Sequence, residues 1–123
     1  MLGAGPAGAA AARLLALWGH RVTLVGKPHP PGLSLAESVP PSTRKLFDTL
    51  GVRGAIDRAE FVRSTGNTVW WGTGECRSEA FADGRLGWQI TADRLESILR
   101  AAAVDGGAVF QERRADPDEH QGE

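Results

Sequence analysis

An α/β fold with a parallel sheet is predicted for this 123-residue chain by three observations. A glycine turn, Gly3-Ala4-Gly5-Pro6-Ala7-Gly8, opens directly onto an alanine-rich helical run over residues 6–18. Gly19-His20 ends that run, and Arg21-Val22-Thr23-Leu24-Val25 follows as a strand. Near the other end, a helical run over residues 92–104 leads into Ala108-Val109-Phe110, a strand placed to return to the same sheet. Parallel neighbours need a crossover of this kind.

The glycines recur as GxGxxG, and each place has a physical reason. Gly3 permits the tight strand-to-helix turn, Gly5 lets backbone approach a pyrophosphate, and Gly8 lets the helix pack closely on the sheet. Free N–H groups at the helix start then meet the phosphate charge. The plain alternative is a glycine- and alanine-rich helix start that holds no ligand. Here, however, the turn comes with its helix, its terminating glycine and its second strand at the right spacing. The pattern points to a bound dinucleotide.

Only Met1 and Leu2 precede the turn, where such a fold needs a buried central strand of about five residues. Each missing apolar side chain would bury about 1.5–3 kcal/mol. Three of them approach a domain's whole stability of about 5–15 kcal/mol. The expectation is that Met1 is not the natural start, or that the chain is a fragment.

Composition narrows the function classes. The length suits one domain with a moderate core. The formal net charge is −1 and the arginines are scattered, without a basic run interleaved with aromatics, so no nucleic-acid partner is expected. The single cysteine, Cys76, rules out an internal disulfide and a cysteine zinc site, and is read as a partly buried bystander. No metal site is expected. A reducing, cytoplasmic setting follows by default. The N-terminus lacks the positive n-region of a signal peptide, and no run reaches the roughly 18 apolar residues of a membrane span.

Between the two ends the elements are expected in this order. Residues 26–41 form a loop, with proline at 28, 30, 31, 40 and 41, too rich in proline for a helix or a central strand. Ser42 caps a helix over 43–50 with Leu46, Phe47 and Leu50 on one face, closed by Gly51. A helical turn near 53–59 follows. Residues 61–90 read as a small antiparallel β excursion: segments at 61–63, 68–71, 77–81 and 85–90 are divided by Gly66-Asn67, Gly72-Thr73-Gly74 and Asp83-Gly84. Thr91 caps the second clear helix, where Leu95, Ile98, Leu99 and Ala102 keep the i, i+3, i+4, i+7 spacing, and Asp105-Gly106-Gly107 stops it. The domain is expected to occupy residues 1–110, with a disordered polar tail over 111–123.

Three stretches, GAGPAGAAAARLLALWGHRVTLV, AESVPPSTRKLFDTLGV and WQITADRLESILRAAAVDGGAVF, span most of residues 3–110. In this order they resemble the FAD-dependent monooxygenase superfamily, in particular its flavin-dependent halogenase and geranylgeranyl-reductase-like branch. The resemblance implies a partial Rossmann-like FAD-binding domain, its first strand truncated, from the N-terminal part of an enzyme several hundred residues long. It implies that Gly3, Gly5 and Gly8, with Pro6 and Ala7, cradle the FAD pyrophosphate. It implies that Glu37-Ser38 lies close to the flavin, and that Arg94 helps to hold FAD at the start of its helix through its fork of donors. Arg44 and Lys45, near the start of their helix, could face phosphate, with a solvated helix face the favoured reading, and Trp70, Trp71 and Trp88 are read as packing within the β excursion or lining for a substrate pocket.

The chain also departs from that pattern. The second strand should end on Asp or Glu to accept from a ribose hydroxyl, and Gly26 stands there, followed by Lys27. The family's second flavin motif with its Gly-Asp pair, the halogenase tryptophan signature and its catalytic lysine are absent, and Lys27 is at no matching position. The expected function is the FAD-binding portion of a flavin-dependent oxidoreductase acting on a small-molecule substrate, with a flavin reductase or NAD(P)H as electron source. No catalytic acid or base is assigned. Two other readings stay open: a truncated, non-catalytic remnant or interaction module that binds no flavin, and a nicotinamide-binding module.

Overall fold

The computed structural model describes residues 1–27, 35–72 and 74–113. Prolines 28, 30 and 31 of the expected loop, Thr73 of the expected turn, and the expected disordered tail beyond residue 113 lie outside the described residues. Helix α1 (Pro6–Leu17) feeds strand β1 (Thr23–Gly26). Strand β7 (Val109–Glu112) lies parallel to β1, with Thr23 opposite Val109 and Gly26 opposite Glu112. The strand therefore runs two residues past the expected end, because Gln111 and Glu112 still find partners in Val25 and Gly26.

The connection from β1 to β7 carries everything else. Strand β2 (Ala36–Val39) is followed by a 3-10 turn, helix α2 (Arg44–Leu50) and helix α3 (Arg53–Arg58). Strands β3 (Val62–Ser64), β4 (Gly66–Trp71), β5 (Glu75–Ala80) and β6 (Gly87–Thr91) lead into helix α4 (Ala92–Asp105). Strands β2 and β3 flank β6 in an antiparallel sheet, and β4 pairs with β5 as a separate hairpin.

Glu37-Ser38 thus sits in a strand, where a proline loop was expected. The prolines bound β2 without entering it, and β2 occupies an edge, the position that tolerates neighbouring proline. The two expected side-chain caps also differ. Ser42 falls inside the 3-10 turn and α2 begins only at Arg44. Thr91 precedes α4 but makes no capping hydrogen bond. It is also the last residue of β6, opposite Ala36, so the strand sets its backbone.

The core lies between α1, α4 and the two sheets. Leu24, Val52, Ile56 and Ile90 are its largest fully buried side chains, while Ala9, Ala12 and Ala103 are buried between α1 and α4. Small side chains there let the two helices approach closely. Trp88 is buried edge-on against Phe47, with ring centroids 5.4 Å apart. Arg13 ties three helices together: from α1, its Nε donates to Leu50 O at the end of α2 (3.1 Å) and an Nη to Ala102 O in α4 (2.8 Å).

The β4–β5 hairpin has no buried face. Every residue of β5 is exposed, and so are Trp70 (66%) and Trp71 (77%). Cys76, expected to be partly buried, is exposed there too, because both faces of the hairpin are open among the described residues. A two-stranded hairpin alone is marginally stable in water. Its amides should therefore exchange with solvent by local opening, at least about tenfold faster than those of α4. Equal protection in a hydrogen-exchange experiment would contradict this reading.

Candidate functional site

The glycine turn is anchored to β1 by a short strand-like start. The Met1 amine donates to Thr23 O (2.9 Å), Val25 N to Met1 O (3.0 Å) and Gly3 N to Val25 O (2.9 Å). Leu2 bridges Val25 in parallel register. Residues 1–3 so occupy the flank of β1 where the first strand of a dinucleotide fold belongs, and Leu2 remains half exposed.

Three glycines have three different surroundings. Gly3 has φ +97°, a conformation that favours glycine. A Cβ on Gly8 would come within 1.9 Å of Gly3 O, so only hydrogen fits where α1 crosses the turn. A Cβ on Gly5 would meet nothing within 4 Å among the described residues. The space in front of Gly5 is open, as a cradle for a ligand requires.

The start of α1 suits an anion. Gly5 is the N-cap with no side-chain capping bond, Pro6 stands in the first turn, and no acidic residue lies there. Ala9 N is the first amide to bond inside the helix, to Gly5 O (2.9 Å). Helix geometry leaves the N–H groups of Ala7 and Gly8 without an intrahelical acceptor. Those donors and the helix dipole favour a phosphate at this end. Pro6 is well placed, since its missing N–H would have been unpaired in any case.

Where an acidic residue would meet a ribose, Gly26 is buried against the turn. A Cβ on it would lie 2.4 Å from Ala4 Cβ and 3.2 Å from Phe110 Cε2. The strand and the turn have closed over this position. The next residue, Lys27, is exposed. The described residues therefore fit the pyrophosphate of a dinucleotide and supply no carboxylate at the end of β1.

The remaining site residues stand on other elements. Glu37 faces Ile90 and Ser38 faces Gln89 across the β2–β6 pair. Both are exposed, and Ser38 Oγ lies 2.8 Å from Gln89 Nε2. Arg94, in the first turn of α4, donates to Ala59 O (2.5 Å) and lies over the Phe61 ring, 4.4 Å from its centroid. Its guanidinium is turned towards α3, into contacts separate from those of the glycine turn and of Glu37-Ser38.

Reading the sequence missed Gln89, the side-chain partner of Ser38, because strand register cannot be counted off across an intervening hairpin. It also missed that Arg44 and Lys45 border a cavity with Trp88. Trp70 and Trp71 take no part in that cavity. Among the described residues, no three His, Cys, Asp or Glu side chains cluster as metal ligands, and no helix is long and apolar enough to cross a membrane.

Residues 1–121 match the FAD binding domain family. The chain is 42% identical over 114 residues to a tryptophan 2-halogenase of Chondromyces crocatus, covering 90% of this chain and 22% of that protein. It is 30% identical over 121 residues to the flavin-dependent halogenase armH5 of Armillaria mellea, covering 94% and 23%. Its fold matches the myxobacterial chondrochloren halogenase CndH, an FAD-dependent halogenase, with a TM-score of 0.79 and 28% identity, over 91% of this chain and 27% of that one. The chain thus spans about a quarter of the length of these relatives.

Proposed function

This chain belongs to the FAD binding domain family, and we propose from that membership that it is the FAD-binding portion of a flavin-dependent halogenase or monooxygenase acting on a small molecule. The observation that carries the reading is the open space in front of Gly5 at the uncapped start of α1. FAD is the cofactor. Gly3, Gly5, Pro6, Ala7 and Gly8 would hold its pyrophosphate: Ala7 and Gly8 through backbone N–H groups, Gly3 and Gly8 by keeping turn and helix in contact.

Bound flavin supplies the redox chemistry, and the protein supplies position and electrostatics. Ser38 and Gln89 hold each other across the β2–β6 pair, and Glu37, one residue earlier in the strand, is exposed on the opposite face. The Glu37-Ser38 pair is proposed to lie close to the flavin. Arg94 is proposed to contact FAD as well, a role for which its bonds to Ala59 and Phe61 compete. The ribose is held without a carboxylate from β1, because Gly26 leaves no room for one beside Ala4. The full protein is proposed to work in the cytoplasm, with a flavin reductase or NAD(P)H delivering electrons.

The test is to titrate the purified chain with FAD and with NADPH, and to assay it for flavin-dependent turnover. Saturable FAD binding without turnover is expected, because no acid, base or substrate pocket can be assigned to the Gly turn or to the Glu37 face. Preference for NADPH would favour a nicotinamide module. Binding of neither would favour a remnant that holds no cofactor. Turnover by this chain alone would refute its incompleteness as a catalyst.

A further inference from the structure

Residues of α2, α3, β3 and β6, with the segments just before α2 and β6, line a cavity of about 480 Å³. Among the described residues, Arg44, Lys45, Arg53, Arg63 and Arg85 line it, with Asp48 as the one carboxylate. Five of the chain's fourteen Lys and Arg side chains therefore meet in one place, although the formal net charge is −1. Its apolar wall comes from Pro41, Leu86 and Trp88. None of these residues belongs to the glycine turn, to Glu37-Ser38 or to Arg94.

The five cations fall into two groups. Two are fixed by the protein itself. Arg53 lies within 3.3 Å of Asp48 and 3.4 Å of Asp57. Arg63 donates to Gly87 O and Leu86 O, both at 3.0 Å, and its guanidinium stacks 4.6 Å from the centre of the Trp88 ring. The other three are Arg44, Lys45 and Arg85. Among the described residues, no carboxylate lies within ion-pair reach of them.

Like charges gathered on one concave surface raise the local potential and concentrate counter-ions there. Guanidinium groups bind phosphate oxygens in a bidentate fork, and a lysine adds a point charge. Beside an apolar wall, that set of donors selects an anion with an organic body over a bare ion. The volume falls in the range of about 300–1,000 Å³ usual for small-ligand sites. We propose that this cavity is a second binding site, separate from the FAD site, for an organic phosphate ester. Arg44, Lys45 and Arg85 take the phosphate, Arg63 and Arg53 hold the rim, and Trp88 with Leu86 receives the organic group.

The probe is phenyl phosphate, titrated calorimetrically into the chain carrying Gly5→Glu. That substitution places a carboxylate at the start of α1 and removes the glycine turn as a competing phosphate site. Binding is expected at one site, and it should weaken at least tenfold in the added triple variant Arg44→Gln, Lys45→Gln, Arg85→Gln. These three side chains are exposed, and circular dichroism should show the fold unchanged. Should the triple variant not fold, the Arg44 and Arg85 side-chain Nε resonances of the Gly5→Glu protein provide the readout, and both should shift on titration. Inorganic phosphate should bind at least tenfold more weakly than phenyl phosphate. The proposal is overturned by absent binding, by equal affinity in the triple variant, by unmoved Arg44 and Arg85 resonances, or by inorganic phosphate binding as tightly. FAD binding by the unmodified chain is a separate measurement, so failure here leaves the flavin reading intact.

Discussion

Gly8→Ala is expected to destabilise the chain by at least about 3 kcal/mol, the upper end of what overpacking a tight contact costs. The added methyl would sit 1.9 Å from Gly3 O, a backbone atom. To make room, Gly3 must shift, and its N–H bond to Val25 O is what joins the turn to β1. Intrinsic helix propensity works in the opposite direction, since alanine is favoured over glycine within a helix by about 1 kcal/mol. The steric cost is larger, so the sign is set by packing. Urea unfolding monitored by circular dichroism measures it. Gly5→Ala serves as the comparison: its methyl points into open space, and its midpoint should stay close to that of the unmodified chain. A Gly8→Ala midpoint as high as that of Gly5→Ala would show that α1 and the turn are not in close contact.

Arg13→Ala should lose about 2–4 kcal/mol. Each hydrogen bond from a charged donor contributes about 1.5–3 kcal/mol, and two are removed, with water recovering part of the loss. Both acceptors are carbonyls near the C-terminal ends of helices, where a cation is also favoured by the helix dipole. Against a total stability of about 5–15 kcal/mol this is a large fraction. Arg13→Lys is the informative companion. One ammonium cannot span the two carbonyls as the guanidinium fork does, so it should recover less than half of the loss. Full recovery in thermal or urea unfolding would mean that charge alone matters here.

How much of this was legible in the sequence depended on whether the signal was local. The GxGxxG turn, α1 and α4 carry their instructions in consecutive residues: glycine at fixed offsets, an alanine-rich run, and Leu95, Ile98 and Leu99 at helical spacing. Their bounds lie within a residue or two of those expected. Strand β2 was hidden because five prolines surround a stretch of four residues that contains none. Its pairing with β6 joins residues about fifty positions apart. Arg13 gave no signal as a clamp, since its two acceptors are backbone atoms 37 and 89 residues away. The same limit applies to the basic cavity. Arg44 and Lys45 alone look like a solvated helix face, and only folding brings Arg53, Arg63 and Arg85 beside them. Gly26 could be recognised as a departure, but the reason that position stays small, the approach of Ala4 and Phe110, is a tertiary contact.

The start of α1 is proposed to hold the pyrophosphate of FAD. The most direct measurement is the dissociation constant for FAD, followed by flavin fluorescence, of the unmodified chain and of Gly5→Glu, with unfolding midpoints measured alongside. Because a side chain on Gly5 points into open space, the two proteins should be of similar stability. The added carboxylate would occupy the phosphate's place with charge of the same sign, so the variant should bind FAD at least tenfold more weakly, about 1.4 kcal/mol. Equal FAD affinity in two equally stable proteins would contradict the claim and move the flavin away from the glycine turn.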